Sequence, residues 1–321
     1  MQEHDRLRLM VQVSKMYYEQ GMTQDQVAQV CQIDRSRVSR LITQARQEGF
    51  IQIQVLDPFS IDSNLTQKLK IKYELEDIII CDSIGVPERE LKKVIGMYAA
   101  NFLLSVLKDG DIFAVSWGET IYHTVKSLSP PQPLKITVVP SVGGSGLISP
   151  AYQINDLVQE VARAFGAEAK TLYAPAFVNS AEAKSEFIAS KDIQMIQEYW
   201  KKATVALVGL GKAPQQYEKK HESDLIFGEF YLKPDELEEI RSSQVVGDIN
   251  ARFINRDGDE QDLIVHSRTI SMTLQELKHC RKVIGVAGGL SKVEVIRAAL
   301  TGNQINALIT DSLTAMKLLE N

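Results

Sequence analysis

The sequence predicts a two-part α/β architecture: a short helical module at the N-terminus, then a large domain on a mostly parallel sheet. Three observations carry this. From about residue 64 onward, short apolar runs alternate with amphipathic stretches of roughly 10–20 residues, the signature of βαβ units. Those runs are apolar throughout rather than alternating, as expected where helices cover both faces of a sheet. The first fifty residues instead carry helix stops and caps at short intervals. A length of 321 residues exceeds one typical domain of roughly 100–200. The boundaries predicted are 1–56 for the module, 57–63 for a linker and 64–321 for the second domain.

In the module, Leu7, Met10, Val11, Ser14 and Tyr18 predict a helix over 5–20 with one mostly apolar face, and Gly21 ends it. Thr23 and Gln26 have capping-box spacing and open a short helix over 24–31 that buries Val27, Ala28 and Cys31. Gln32-Ile33-Asp34 makes a tight turn, and Asp34 can cap a third helix over 35–48. Val38, Leu41, Ile42 and Ala45 form the apolar stripe of that helix. Ser36, Ser39, Arg40, Thr43, Gln44 and Gln47 lie opposite, flanked by Arg35, Arg37 and Arg46. Residues 35–47 hold four arginines and no acid.

Arg, Ser, Thr and Gln reach base edges and phosphates in a major groove, so two helices, a three-residue turn and a one-signed polar face predict a helix-turn-helix. Ser36, Arg37 and Arg40 are the base-contact candidates, with Ser39 and Thr43 on the same face. Arg35, Arg46 and Thr23 are the phosphate-contact candidates, and the helix N-terminus is expected to help anchor a phosphate. The bland alternative is a helical hairpin with a solvated charged face. The alternating run at 50–55, FIQIQV, predicts half of a small wing, and Asp57-Pro58 ends it.

Composition narrows the classes further. Hydrophobic residues make up 44% and charged residues 24%, a globular balance, and the net charge of −5 argues against a globally basic nucleic-acid coat protein. The charge is unevenly placed: residues 1–57 hold seven Lys/Arg and seven Asp/Glu, so the acidic excess belongs to the rest. Cys31, Cys81 and Cys280 are far apart, and the five histidines show no ligand spacing, so neither a disulfide framework nor a metal is expected. The charged N-terminus and the lack of a long apolar run predict a cytoplasmic protein with no membrane partner.

In the second domain, strands are predicted at Asp77–Cys81, Ile112–Ser116, Ile136–Pro140, Thr171–Ala174, Val205–Gly209, Lys282–Ala287 and Ala307–Thr310. Helices are predicted at 88–107, 119–128, 153–165, 184–201, 273–280, 291–300 and 311–319. The segment 245–270, with Asp257-Gly258 and alternating polarity, predicts a hairpin or an insert.

Ligands of parallel sheets bind at the C-terminal strand ends. Four loops there are rich in small residues: 116–120 (SWGET), 141–146 (SVGGSG), 209–211 (GLG) and 288–292 (GGLSK). Lys292 falls in a first helical turn, a suitable place for a phosphate. Glycine at such turns also has a purely steric explanation. The P-loop, dinucleotide and nucleophile-elbow motifs are all incomplete, so no cofactor and no catalytic set is expected.

Together these residues resemble the SorC, or DeoR-like, family of bacterial sugar-binding transcriptional regulators. In the module the resemblance rests on MYYEQGMTQDQVAQVCQIDRSRVSRLITQARQEGFIQI. Downstream it rests on GDIFAVSWGET, VVPSVGG, APAFV, VGDINARF and VIGVAGGLSKVEVIRAALTGNQINALITDSLTA. It implies a winged helix-turn-helix joined to an effector domain similar to the NagB/ribose-5-phosphate isomerase fold. It further implies operator DNA, a phosphorylated sugar effector and a homo-oligomer, dimer or tetramer, controlling a carbohydrate-utilisation operon.

Carried onto this chain, Gly118, Glu119 and Thr120 would hold the phosphate, with Lys292 adding charge. Gly143, Gly144, Gly288 and Gly289 would line the cavity, Asp248 would accept from sugar hydroxyls, and Gln153 and Asn155 are further polar candidates. The chain departs from the family at Gln32-Ile33-Asp34, where Gly-Ile-Ser is common, and an asparagine usual after the Gly-Gly loop is not matched. The rival reading is a sugar-phosphate isomerase-like enzyme with a DNA-binding appendage. It needs a positioned base, and Asp224, Glu229 and Asp311 are the acids near strand ends. A nucleotide-binding or structural module is a third class.

Overall fold

The computed structural model describes residues 3–51, 63–145, 152–213 and 232–320. Most of the expected wing strand and linker, together with Gly146, Asp224 and Glu229, lies outside them. The chain divides into two compact units, Met1–Asp57 and Pro58–Asn321.

The first unit holds α1 (Glu3–Tyr18), α2 (Gln24–Cys31) and α3 (Arg35–Gln47). Thr23 caps α2 in a complete capping box: Gln26 N–H donates to Thr23 Oγ1 (3.3 Å) and Thr23 N–H to Gln26 Oε1 (2.8 Å). Met10 and Val13 of α1, Val27 of α2 and Val38, Leu41, Ile42 and Ala45 of α3 form one core. The buried stripe of α1 is therefore rotated from the expected one. Val11 and Tyr18 are exposed, while Ser14 is buried and donates to the Met10 carbonyl (2.7 Å), which satisfies its hydroxyl inside the helix. Gln32 ends α2 in the left-handed region, φ 52°.

The second unit is a parallel sheet with β1 (Asp77–Cys81), β2 (Ile112–Val115), β3 (Thr137–Pro140), β4 (Glu168–Ala169), β5 (Val205–Lys212), β8 (Lys282–Val286) and β9 (Ala307–Asp311). Their order is β1-β9-β8-β5-β2-β3-β4. The intervening β6 (Gly247–Ile249) and β7 (Arg252–Ile254) form an antiparallel hairpin paired to the last residues of β5.

Alternate residues of each strand feed opposite cores. Val205 and Leu207 meet one face, covered by α5 (Glu88–Val106), α6 (Glu119–Lys126) and α7 (Ile154–Phe165). Ala206 and Val208 meet the other, covered by α4 (Ser63–Tyr73), α8 (Ala181–Ala189), α9 (Lys191–Lys201), α11 (Leu274–Lys278), α12 (Val293–Thr301) and α13 (Ser312–Leu319). A third cluster, with Trp117, Val142, Ala251, Phe253 and Val265, packs the hairpin and α10 (Pro234–Ser242) over the C-terminal strand ends. Among the described residues no helix is long and apolar enough to cross a membrane, and no group of three or more metal-ligating side chains occurs.

Other expectations need correction or addition. Thr171–Ala174 is not a strand. The ladder there is the two-residue β4, and the Asn155 side-chain amide pairs with Leu172 in its place, accepting from its N–H (3.0 Å) and donating to its carbonyl (3.1 Å). The helix expected over 184–201 is α8 and α9, broken at Ser190, whose hydroxyl caps α9. The expected turn at Asp257-Gly258 forms and brings Ile254 and Glu260 into an antiparallel bridge, but the β6–β7 hairpin is closed by an additional turn at Asn250-Ala251, φ 57° and 62°. Helices α4 and α10 were not anticipated.

Buried polar pairs hold the hairpin and the segments packed with it. Arg268 donates through Nε and Nη2 to both oxygens of Glu236 (2.5 and 2.6 Å), with both side chains buried. His266 Nε2 accepts the Phe253 N–H (3.1 Å) and its ring stacks on Phe253. Burial, and then the nearby Arg252 guanidinium, push the His266 imidazole down to about 3. An unfolded histidine takes up a proton near pH 6.5, whereas the folded one resists until about 3. The stability present above pH 6.5 is therefore lost as pH falls toward 3, by an amount on the order of 4 kcal/mol. Replacing His266 by Gln, which still offers an acceptor, should flatten this slope by about one proton in denaturant titrations run from pH 7 to 4.

Candidate functional site

The first candidate surface is α3. Val38, Leu41, Ile42 and Ala45 are buried, so Ser36, Arg40 and Thr43 stand on the opposite side, with Ser39 and Arg35 beside them. All five are exposed and Arg37 is half-buried. Their local contacts differ. Arg40 Nε–H reaches back to the Ser36 carbonyl (3.4 Å) and Thr43 Oγ1 donates to the Ser39 carbonyl (3.0 Å). Arg35 pairs with Asp25 (3.6 Å), both well exposed. Arg46 Nε–H donates to the Tyr18 hydroxyl (2.9 Å), with the guanidinium 5.7 Å from the ring centre.

Asp34 caps the helix, its Oδ1 accepting both the Arg37 N–H (2.8 Å) and the Ser36 hydroxyl. Those bonds hold its carboxyl below the usual range, the Ser36 bond contributing most. The α3 N-terminus expected to attract a phosphate thus already holds a carboxylate of the protein. Thr23 is likewise engaged, its hydroxyl and N–H both used in the capping box.

The second candidate surface is the C-terminal edge of the parallel sheet. Gly118 opens α6 with φ 129° and no side-chain cap, so the first-turn N–H groups of Glu119 and Thr120 have no helical acceptor. Thr120 is half-buried, and its hydroxyl has no partner among the described residues. Lys92 of α5 pairs with Glu119 (2.5 Å), which answers the repulsion a free acid would exert on an anion there. Sequence spacing could not have shown that pair, because 27 residues separate the partners.

The glycines divide by what they touch. A Cβ on Gly143 would lie 2.5 Å from the Pro175 backbone, and the Gly143 N–H donates to Ile270 (2.9 Å). The Gly144 N–H donates to Ala174 (2.8 Å). A Cβ on Gly288 would overlap the Asp311 carboxylate and Ile95. Gly289, φ 94°, gives its N–H to Asp311 Oδ2 (2.7 Å) and Thr314 Oγ1 (2.9 Å). Gly143, Gly288 and Gly289 therefore have reasons inside the protein, whereas Gly144 has room for a Cβ; the N–H groups of Gly143, Gly144 and Gly289 are committed. The Asn155 amide is spent on Leu172, which removes it as a free polar contact, and Gln153 Nε2 donates to the Ser145 carbonyl (2.6 Å). Asp311 accepts from Gly289, Ser83 and Thr314, a structural anchor rather than a poised base.

Asp248 and Lys292 are brought together. Asp248 is 3% exposed, and its Oδ2 accepts the Ala251 N–H (3.2 Å) across the hairpin turn. Its Oδ1 is buried without a partner among the described residues. Burial raises its carboxyl to about 7, opposed by the Lys292 ammonium. Lys292 Nζ donates to the Leu210 carbonyl at the end of β5 (2.8 Å). Gly211, on the neighbouring strand β5, makes room for Asp248: a Cβ there would overlap Oδ1. Gly209-Leu210-Gly211, expected as a loop, instead continues strand β5, and its service to Asp248 depends on the register Gly211↔Asp248.

Comparison with known proteins agrees with this architecture. The family model "Putative sugar-binding domain" matches residues 57–320. The chain is 31% identical to the sorbitol operon regulator of Klebsiella pneumoniae over the full length of both. It is also 31% identical to the deoxyribonucleoside regulator of Bacillus subtilis (strain 168), covering 99% of each chain. The crystal structure of the full-length K. pneumoniae sorbitol operon regulator SorC superposes with a TM-score of 0.80, covering 98% of this chain and 99% of that one. These relatives are named as regulators rather than enzymes. With a helical N-terminal unit, a parallel-sheet unit and relatives aligned across both, the chain belongs to the SorC/DeoR-like family of sugar-binding transcriptional regulators.

Proposed function

We propose that α3 is the recognition helix of an operator-binding module, and that the strand-end edge around Gly118, Thr120, Asp248 and Lys292 receives a phosphorylated sugar. In this reading the protein works as a cytoplasmic homo-oligomer, with residues 1–56 as the DNA-binding domain and 64–321 as the effector domain. The observation that carries the first part is the outward face of α3, with exposed Arg40, Ser36 and Thr43 opposite a buried apolar stripe. Arg40 is the groove reader, flanked by Ser36, Arg37, Ser39 and Thr43, while Arg35 and Arg46 meet phosphates. Thr23, its own groups used in the cap, serves through the position of α2 rather than by a strong bond of its own.

For the effector, the orphaned Asp248 Oδ1 offers an acceptor for a sugar hydroxyl. The α6 N-terminus with the Thr120 hydroxyl, and the Lys292 ammonium, suit a phosphate. Gly143, Gly144, Gly288 and Gly289 shape the wall. Effector binding shifts DNA affinity only through a difference in effector affinity between two states of the protein, typically about 1–3 kcal/mol. The names of the relatives point to polyol and deoxyribosyl chemistry, so sorbitol and deoxyribose phosphates head the panel of ligands.

Thermal-shift measurements against that panel, with the unphosphorylated compounds alongside, test the effector assignment. A phosphorylated member should raise the melting temperature, and its free sugar should not. Failure of every phosphorylated member would remove the phosphate from the proposal. Lys292→Ala should leave operator binding intact and shift the effector midpoint upward; a wild-type midpoint would exclude Lys292 from the site. Gly211→Ala, which displaces Asp248, should lower stability by about 1–3 kcal/mol and weaken the same response. Arg40→Ala should cost about 1–3 kcal/mol of affinity for a duplex enriched by the wild-type protein from a random pool. Unchanged affinity and discrimination in a gel-shift titration would show that Arg40 does not face the groove.

A further inference from the structure

The turn before α3 holds a carboxylate, Asp34, and its contacts fix the polarity of a neighbouring side chain. Asp34 Oδ1 accepts the Arg37 N–H (2.8 Å) and lies within hydrogen-bond distance of Ser36 Oγ. An ionised carboxylate only accepts, and a serine hydroxyl has a single proton to give. The proton of Ser36 therefore belongs to Asp34. The bonds from Ser36 and Arg37 keep Asp34 ionised, its carboxyl held below the usual range.

A serine on a recognition helix ordinarily reads either a donor or an acceptor, because its hydroxyl rotates to suit. Ser36 has lost that freedom. It sits in the first turn of α3, one turn before Arg40 and on the same exposed side, where recognition helices meet base edges. With its proton committed, the oxygen faces outward as an acceptor alone. In the major groove the base-edge donors are the amino groups of adenine and cytosine, whereas guanine O6 and N7 and thymine O4 are acceptors.

We propose that Asp34 and Ser36 act as a specificity-determining pair: by taking the Ser36 proton, Asp34 makes Ser36 select adenine or cytosine and reject guanine and thymine at the base it faces. Asp34 is the positioning residue and Ser36 the contact. The inference rests on the reading of α3 as the recognition helix, and the experiment separates the two.

The full-length protein is used to enrich sites from a pool of duplex DNA with a randomised central segment. The Ser36→Ala, Asp34→Ala and Asp34→Asn variants are run in parallel. The wild type should show one position restricted to adenine or cytosine, and Ser36→Ala should lose that restriction alone. Asp34→Ala, which returns the proton to Ser36, should admit guanine and thymine at the same position. Asp34→Asn, whose amide oxygen still accepts, should keep the restriction and serves as the folded, capped control. On the enriched duplex, replacing the selected base by its analogue without the exocyclic amine should weaken wild-type binding about five- to tenfold and leave Ser36→Ala unchanged. This comparison needs no Asp34 variant to fold. If the wild type enriches a site but no position depends on Ser36, or the dependent position prefers guanine or thymine, the Asp34–Ser36 assignment is overturned while the recognition helix stands. If the wild type enriches no sequence, the recognition-helix reading fails first and this inference with it.

Discussion

Every strand of the main sheet ends at the same edge, and the polar groups released there must find partners. A parallel sheet covered by helices on both faces offers little water to do this, and a buried polar group left alone costs about 1–3 kcal/mol. The second unit meets the demand with its own side chains. Trp200 Nε1–H donates to the Pro140 carbonyl at the end of β3 (2.7 Å). Asn250 donates to the carbonyls of Ser141 and Met272 (2.9 and 3.0 Å) and accepts the Ser141 hydroxyl (2.7 Å). Asp311 gathers Ser83, Gly289 and Thr314 at the ends of β9 and β8. The glycine-rich character of the edge follows from the same crowding, since neither Gly143 nor Gly288 has space for a Cβ.

Among the described residues Asp248 is one of four exceptions to this satisfied background. Asp248 Oδ1 is buried beside Gly211 with no partner among the described residues, although its sister oxygen holds the hairpin turn. Its ionisation is penalised by burial and supported by Lys292. A hydroxyl brought to Oδ1 would satisfy this buried acceptor and so offset part of its desolvation cost on the proposed reading. The hairpin bearing Asp248 is also held through Arg252 to Ser271 and Glu260, and its packing continues through Phe253 and His266. A change at Asp248 is therefore mechanically connected to a region well beyond the residue itself.

Local chemistry was legible wherever it stayed local. Thr23 with Gln26, the apolar stripe of α3 and the strands at Asp77–Cys81 and Lys282–Val286 depend on neighbours a few residues away, and the pattern of residue types contains them. The candidate site was harder because residue type does not reveal which partner uses up a polar group. Asn155 looked like a free amide at the start of a helix, and it is a clamp on Leu172. Gly143 and Gly144 looked like a ligand cradle, and they cradle the 174–176 backbone. Asp257-Gly258 does turn the chain, but tertiary packing adds a second turn at Asn250-Ala251, which its residue types do not announce and where the Asn250 side chain bonds Ser141 and Met272.

The N-terminal unit shows how partner identity alters the meaning of equal charges. Arg35 and Arg46 flank α3 as two similar cations in the sequence. Arg35 lies against Asp25, so a phosphate must displace a carboxylate to reach it. That exchange is cheap, because an exposed pair is worth about 0–1 kcal/mol, but the displaced carboxylate remains close to the incoming anion. Arg46 leans on the Tyr18 hydroxyl and ring, which are neutral. Its guanidinium keeps its full charge while losing conformational freedom before any DNA arrives. On the proposed reading Arg46 is therefore the stronger of the two phosphate anchors, and Tyr18, exposed on α1 and outside the stripe first assigned to it, supports it as a positioning residue.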